Sequence, residues 1–139
     1  MKRRIALMAI LVGSFLLSAA AAQAEVRFNV PFDFTVGKVT LPAGSYSVGK
    51  IGHIQTHVSL RNRDSNEGAF GQINSLQLNP GQWSDATKLV FRRYGDQYFL
   101  AEFWNLGSST GYQLRKSKAE REIARSVTQP NTEIVSAGQ

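Results

Sequence analysis

The sequence contains no cysteine among its 139 residues. This absence excludes a disulfide framework, and it also excludes the lipid-modified cysteine of an anchored lipoprotein. The G-S-S-T-G sequence at residues 107–111 has the spacing of a G-x-S-x-G motif, but we interpret it as a flexible connection rather than as a nucleophile elbow. No glycine-rich loop has the spacing of a phosphate-binding site. The sequence therefore carries no recognisable catalytic constellation, and we predict neither an enzyme nor a cofactor.

Histidine is also scarce, since the chain has only His53 and His57. A spacing of four residues suits two metal ligands on a helix. The neighbouring residues favour strand or loop instead, and in a straight strand the two positions lie about 13 Å apart, too far to share one ion. We interpret both histidines as partly exposed strand residues and predict no metal site.

Long apolar runs are limited to the start of the chain. Three basic residues at positions 2–4 precede a mainly apolar run at 5–17 and an A-x-A sequence at 22–24. This order is typical of a secretory signal peptide that is cleaved before Glu25, and the run is shorter than the roughly 20 residues that span a bilayer. We predict a Sec-type signal peptide at residues 1–24 and a periplasmic or extracellular protein without a transmembrane span.

The excess of basic charge belongs partly to this signal. The whole chain has 16 Lys and Arg residues and 10 Asp and Glu residues, a net charge of +6. Three of the cations lie in the signal, which leaves a net charge of +3 on the mature chain. A balance this small does not indicate a nucleic-acid partner. The mature chain is long enough for one domain with a single core.

The mature sequence is patterned as β-strands almost throughout. Apolar and polar residues alternate at 26–30 and 32–36, and turns rich in glycine and proline separate the later strand-like runs. We predict one all-β domain over residues 25–127. Its architecture is either an antiparallel sandwich or a partly closed barrel of about seven or eight strands.

The clearest unit is a hairpin around a two-residue turn at residues 95–96. This turn places Arg93 opposite Tyr98 and, further along, Leu89 opposite Glu102. Large apolar residues on both faces predict a central hairpin that is covered on each side. We expect a cation–π contact between Arg93 and Tyr98, and we expect Arg93 to pair with a partly buried Glu102.

The C-terminal part changes from strand to helix. The sequence S-K-A-E at residues 117–120 fits a capping box, with serine at the cap and glutamate three residues later. It predicts a short helix at residues 118–127 that packs through Ala119, Ile123 and Val127.

The last residues lack a strong pattern. Pro130 prevents the helix from continuing, and the following residues are mostly polar. We predict a loose tail at residues 128–139, with at most a weak strand at 132–135.

Two motifs follow the signal closely, V-P-F-D-F-T-V-G at residues 30–37 and L-P-A-G-S-Y-S-V at residues 41–48. The pair resembles the V-P-F-D-F-x-V-G and L-P-A-G-x-Y-x-V motifs of a family of uncharacterised small exported proteins from soil bacteria. Residues 88–100 and 117–124 resemble later parts of the same family. The resemblance implies export and a compact β domain. That family has no assigned activity, so the resemblance implies no site residues.

Aromatic residues are candidates for both the core and ligand contact. Phe32, Phe34, Tyr46 and Val48 lie in the two motifs, and we interpret them as core residues. A second group could form a stacking surface for sugars, with core positions as the alternative interpretation. This candidate ligand surface consists of Trp83, Tyr94, Tyr98, Trp104 and Tyr112.

A run of basic residues around the predicted helix is the second candidate surface. It could contact an anionic membrane or polymer, and the alternative is a solvated helix face packed on the sheet. This candidate basic patch consists of Arg115, Lys116, Lys118, Arg121 and Arg125.

These observations favour a non-catalytic binding or structural module of the bacterial cell envelope or the secreted space. An envelope polysaccharide, a protein or a lipid is the expected partner class. One alternative is a carrier that holds an apolar ligand inside a lipocalin-like barrel. The other is a hydrolase of envelope polysaccharide, which requires two carboxyl groups beside one cleft.

Overall fold

A computed structural model describes residues 26–51, 56–126 and 129–138 of the chain. The predicted signal peptide at residues 1–24 lies outside the described residues, as do His53 and Val127. Strands, contacts and burial are given for these residues alone.

The described chain forms ten strands and one short helix. The predicted all-β fold with a short C-terminal helix is confirmed. The strand number is higher than expected because three strands lie in segments whose sequences indicated turns, a flexible connection or a tail. The elements are β1 (Arg27–Val30), β2 (Phe34–Val36), β3 (Val39–Leu41), β4 (Gly44–Ile51), β5 (His57–Asn62), β6 (Gly68–Leu78), β7 (Lys88–Tyr94), β8 (Gln97–Trp104), β9 (Thr110–Leu114), α1 (Lys118–Ala124) and β10 (Asn131–Ser136).

All ten strands belong to one sheet that does not close. The order β1-β4-β5-β6-β9-β8 forms one part, and β8 continues into β2-β3 and, through β7, into β10. Neighbouring strands are antiparallel except for β2 and β8, which run parallel where Thr35 lies beside Phe99. The single parallel contact makes the sheet mixed.

The core joins strands that are far apart in the sheet order. The rings of Phe28 in β1 and Phe103 in β8 meet edge to face at 6.4 Å, so the sheet folds over onto itself. Alternation along each strand supplies the inward side chains, as expected for half-buried strands. The buried core cluster is Phe28, Val30, Phe34, Val36, Leu41, Tyr46, Val58, Leu60, Ala69, Leu89, Phe91, Leu100, Phe103 and Leu114.

The two N-terminal motifs form one packing unit. The Ala43 N–H donates to Asp33 Oδ1 at 2.9 Å, and the Tyr46 hydroxyl donates to the carbonyl oxygen of Pro42. The ring of Tyr46 meets that of Phe34 at 5.0 Å. The predicted core role of the motif residues is confirmed, since these two rings are buried and the other two predicted core residues pack against them in the same cluster. The motifs therefore have a structural function here.

The hairpin of β7 and β8 follows the predicted register near its turn only. Arg93 lies opposite Tyr98 as expected, with the guanidinium carbon 5.4 Å from the ring centre. Beyond that, a β-bulge at Ala101 shifts the pairing, so that Leu89 faces Phe103 instead of Glu102. The bulge has a packing reason, because Leu100 and Phe103, three residues apart, both reach the core.

Neither charged residue of the predicted Arg93–Glu102 pair has the expected partner. Glu102 accepts a hydrogen bond from Trp104 Nε1 at 2.8 Å. Arg93 lies 3.5 Å from a carboxylate oxygen of Glu133 in β10. The predicted pairing of Arg93 with Glu102 is therefore wrong.

The helix begins at the predicted cap but packs through another side. The Glu120 N–H donates to Ser117 Oγ at 3.1 Å, which confirms the cap. The predicted packing stripe is wrong in its first position, because Ala119 is exposed and Glu120 is the buried residue of α1. Ile123 is half-buried. The glutamate of a capping box usually accepts a hydrogen bond from the backbone N–H of the cap residue. The Glu120 carboxylate instead accepts from the side chains of Arg92 and Tyr94 in β7.

The predicted loose tail is also corrected. β10 pairs with β7 in antiparallel register from Asn131 beside Arg93 to Ser136 beside Lys88. The following Gly138 N–H donates to the Arg27 carbonyl oxygen in β1 at 3.0 Å. Pairing of six residues with β7 gives this segment backbone hydrogen-bond partners along one side, so its order comes from the sheet rather than from its weak side-chain pattern.

Candidate binding grooves

The five aromatic residues predicted as one ligand surface do not share a surface. Trp83 is 70% exposed, whereas Trp104 is only 7% exposed. Tyr94 is buried, and its hydroxyl donates to Glu120 Oε1 at 3.1 Å. Trp83 and Trp104 line a common groove.

The other two tyrosines pack on core rings. Tyr98 stacks on Phe32 with ring centres 3.8 Å apart, and Tyr112 stacks on Phe103 at 6.2 Å. The prediction of a five-residue aromatic surface is therefore wrong, because the alternating strands direct these rings to different sides of the sheet.

The predicted basic patch is largely brought together in an open groove of about 980 Å³ beside the start of α1. Its described lining residues come from the turn between β2 and β3, from β5 and β6, and from residues 115–122. Arg125, the C-cap residue of α1, is not part of this lining. We call this cavity the basic groove; its cationic residues are Lys38, Arg115, Lys116, Lys118 and Arg121.

Charge in the basic groove is strongly one-sided. Of the described lining residues, five are basic and only Glu122 is acidic. The Glu122 carboxylate lies 4.0 Å from Lys118 Nζ on the exposed side of α1. An exposed pair of this kind contributes little stability, so it leaves Lys118 available to a ligand. The groove therefore attracts anions.

The lining of the basic groove is partly apolar. Phe70 is 62% exposed, and Val39 beside it in the lining is also exposed. An exposed aromatic ring offers a large apolar contact surface. The groove consequently combines cations with a flat apolar surface.

Backbone geometry places the cations of separate segments around this groove. Gly37 has a φ of +60°, and a Cβ at this position would lie 2.8 Å from the Phe70 carbonyl oxygen. Glycine therefore lets the turn approach β6 and carry Lys38 to the rim. On the opposite side, the Arg115 N–H donates to the Gln72 carbonyl oxygen at 2.8 Å.

A buried ion pair holds α1 on the sheet. Glu120 is 2% exposed and accepts hydrogen bonds from Arg92 Nε and, at 3.2 Å, from Arg92 Nη2. Tyr94 donates to the same carboxylate. Burial and the nearby Glu120 charge raise the pKa of Tyr94 above its usual value. We call Arg92, Tyr94 and Glu120 the helix anchor.

Neither the helix anchor nor the place of Lys38 in the groove was predicted from the sequence. The capping pattern gave Glu120 a local role, and its partners lie 26 and 28 residues earlier. The one available signal was a pair of polar positions, Arg92 and Tyr94, on one face of an otherwise apolar hairpin.

A second, smaller groove of about 330 Å³ contains the two tryptophans. Its lining includes Val90, Glu102 and Ile134 and polar residues of the loop before β7. We call it the tryptophan groove. Val90 and Arg92 point to the same face of β7 because side chains alternate along a strand. The tryptophan groove and the helix anchor thus share the outer face of the hairpin.

Among the described residues, no group of three His, Cys, Asp or Glu side chains is placed to hold a metal ion. No helix in the described ranges has the length and apolar character needed to cross a membrane.

Fold and grooves together define a small all-β protein with a cationic surface groove. No protein-family model, curated protein or solved structure matches the chain.

Proposed function

We propose that this protein is an exported, non-catalytic binding module that holds an acidic polysaccharide of the cell envelope or the secreted space in the basic groove. The observation that carries the proposal is the convergence of five cations from separate segments on one open groove. Clefts lined by one sign of charge concentrate ligands of the opposite sign. Lys38 joins the groove from the turn before β3, so the positive charge is not confined to the residues around α1. Phe70 adds an apolar side chain from β6.

The shape of the groove supports a polymer chain over a membrane surface. All five cations are exposed, and they converge from the turn before β3 and from residues 115–121 on one concavity. A concave surface fits an extended polymer better than a flat bilayer, and a polymer in the groove can contact both segments. The exposed ring of Phe70 in the lining offers an apolar surface against which the C–H face of a sugar can pack.

The interior supports surface binding better than an enclosed carrier. Core rings contact one another directly, as when Phe34 meets Phe91 at 5.3 Å and Phe32 meets Phe91 at 5.1 Å. A carrier of apolar ligands needs unfilled space in that region. The described carboxylates near the basic groove also lack the paired arrangement that sugar hydrolysis requires, since the one in its lining is Glu122.

Export rests on the sequence of residues 1–24 and on the resemblance of the two motifs to small exported proteins. Expression of the whole chain in a bacterium tests it by N-terminal sequencing of the recovered protein. Recovery outside the cytoplasm with Glu25 as the first residue supports export. Cytoplasmic protein that retains Met1 contradicts it.

Heparin serves as a soluble model of an acidic polysaccharide in the binding test. We expect purified protein to bind heparin saturably, and Lys116→Glu/Lys118→Glu to weaken binding about 30-fold or more, on a scale of about 1 kcal/mol per surface cation. The matched control is Arg27→Glu/Arg125→Glu, which makes the same charge change at exposed residues outside the groove lining. The control should lose much less affinity.

Three outcomes decide against the proposal. Equal losses in the two double variants would indicate attraction by net charge alone. Absence of saturable heparin binding would contradict the ligand class. Binding to anionic phosphatidylglycerol vesicles without binding to heparin would favour the membrane alternative.

A further inference from the structure

The side chain of Trp83 is the most exposed large apolar group among the described residues, at 70%. It lies in the loop between β6 and β7, on the rim of the tryptophan groove. Scattered exposed apolar side chains need no explanation. A tryptophan beside a concavity with converging polar groups is different, because it has the composition of a ligand site.

Backbone hydrogen bonds hold the loop that carries Trp83. The Asn79 N–H donates to the Ser109 carbonyl oxygen and the Ser84 N–H to that of Ser108, both at 2.9 Å. The Gly107 N–H donates back to the Ser84 carbonyl oxygen at 2.9 Å. Bonds on both sides of Trp83 thus fix its backbone, so this part of the loop has little backbone freedom to lose on binding.

Facing Trp83, a carboxylate is held in a defined orientation. Trp104 Nε1 donates to Glu102 Oε2 at 2.8 Å, which leaves the other carboxylate oxygen, Oε1, to accept from a ligand. The Trp104 ring itself is held over Gly111, where a Cβ would lie 2.3 Å from the ring. The site is therefore built from the strands as well as from the loop.

The remaining polar groups match a polyhydroxylated ligand. Asn79 and Gln82 provide amides that both donate and accept, and Asp85 adds a second carboxylate. The one cation of the described lining, Lys88, lies 3.8 Å from Asp85. Carboxylates thus outnumber cations, so an acidic ligand is disfavoured here.

We propose that the tryptophan groove binds a neutral saccharide, with one pyranose face on Trp83 and its hydroxyls on Glu102 and the loop amides. A sugar ring has an apolar C–H face and a rim of hydroxyls, which is the combination that this lining can satisfy. The proposal does not depend on the basic groove. Gly111, beneath Trp104, and Arg115 in the basic groove lie at opposite ends of β9, about 14 Å apart by strand rise.

Isothermal titration with two uncharged oligosaccharides, cellohexaose and hexa-N-acetylchitohexaose, tests the proposal on purified protein. We expect saturable binding to at least one of them, with a dissociation constant on the order of 1 mM or below. Trp83→Ala should weaken it about tenfold or more, and Trp83→Phe should weaken it less because a ring remains. The control is Leu106→Ala, which removes another exposed apolar side chain from the adjacent loop and should change nothing.

Absence of saturable binding to both oligosaccharides would overturn the proposal, and so would a Trp83→Ala variant that binds like the parent. Circular dichroism of each variant keeps the comparison valid, since Trp83 is a surface residue whose loss leaves the fold intact. Saturable binding of an apolar dye at Trp83, without binding of either sugar, would assign the groove to an apolar partner instead.

Discussion

The basic groove and the tryptophan groove differ in how they are built and in what they offer a ligand. The basic groove is wide and cationic, and its walls come from segments that are distant in sequence. The tryptophan groove is about one third as large, and it combines one exposed ring with carboxylates and amides. The first depends on long-range electrostatic attraction, whereas the second depends on stacking and on hydrogen-bond geometry.

The helix anchor holds α1, and α1 lines only one of the two grooves. Glu120 fixes α1, and α1 carries Lys118 and Arg121 into the basic groove. The tryptophan groove lies on the same hairpin but includes no residue of α1. Loss of the anchor should therefore affect one groove and spare the other.

The largest effect is expected from Glu120→Ala. This change leaves Arg92 without its carboxylate partner in a largely buried position, so it should lower the free energy of unfolding by about 3 kcal/mol. Heparin affinity should fall as α1 loosens, and cellohexaose affinity should persist in the folded protein. Urea unfolding and the two titrations measure these effects.

Glu122→Ala is the matched control for that variant. It removes an exposed carboxylate from the same helix and should change stability by no more than about 0.5 kcal/mol. If Glu120→Ala is equally harmless, the buried pair does not hold the helix.

Salt concentration should also change the ligand affinities of the two grooves to very different extents. If a polyanion contacts all five cations, heparin affinity should fall on the order of 100-fold between about 50 mM and about 200 mM salt. Cellohexaose is uncharged, so its affinity should change less than about twofold over the same range. Titrations at four salt concentrations give the dependence of each affinity on salt. If the two affinities fell equally with salt, the two grooves would not differ in their electrostatic attraction for a ligand.

Gly111→Ala should affect the tryptophan groove and spare the basic groove, whereas Glu120→Ala should do the reverse. The added methyl would lie 2.3 Å from the Trp104 ring, so the ring and the Glu102 carboxylate that it orients must shift. We expect a stability loss of about 2 kcal/mol from overpacking, weaker cellohexaose binding and unchanged heparin binding. Loss of heparin binding alone would show that the grooves are coupled in a way that this geometry does not predict.

The smallest effect concerns alkaline pH. Burial raises the pKa of both Tyr46 and Tyr94, so the folded protein keeps these hydroxyls protonated where the unfolded chain ionises. Stability should therefore be constant below the unfolded value of about 10 and fall above it. Tyr94→Phe removes one of the two groups and should make this fall shallower. Urea unfolding from pH 8 to pH 11 measures the free energy of unfolding of both proteins. If it fell equally steeply above pH 10 in Tyr94→Phe, Tyr94 would not contribute to this pH dependence.

Local signals in the sequence predicted the parts of the fold that local chemistry determines. The glycine turn at Gly95 fixed the first pairs of the hairpin, and the capping pattern fixed the start of α1. The bulge at Ala101 could not be predicted, because its cause is the position of Phe103 in a core built from distant strands. β10 is ordered through its partner β7 and has only a weak pattern of its own.

The same distinction applies to the candidate sites. The basic run was visible because four of its groove residues are close in sequence, whereas Lys38 and Phe70 reach the groove only through the folded sheet. The five aromatic residues looked equivalent in sequence. Burial separates them, since Trp83 is exposed while Tyr94 serves the helix anchor.

A backbone-amide NMR titration tests most directly whether acidic polysaccharide occupies the basic groove. We expect a heparin octasaccharide to perturb the amides of Lys38, Phe70 and residues 115–121, and to leave that of Trp83 unperturbed. Perturbations spread over exposed basic residues such as Arg27 and Arg125, or centred on Trp83, would contradict a heparin site in the basic groove.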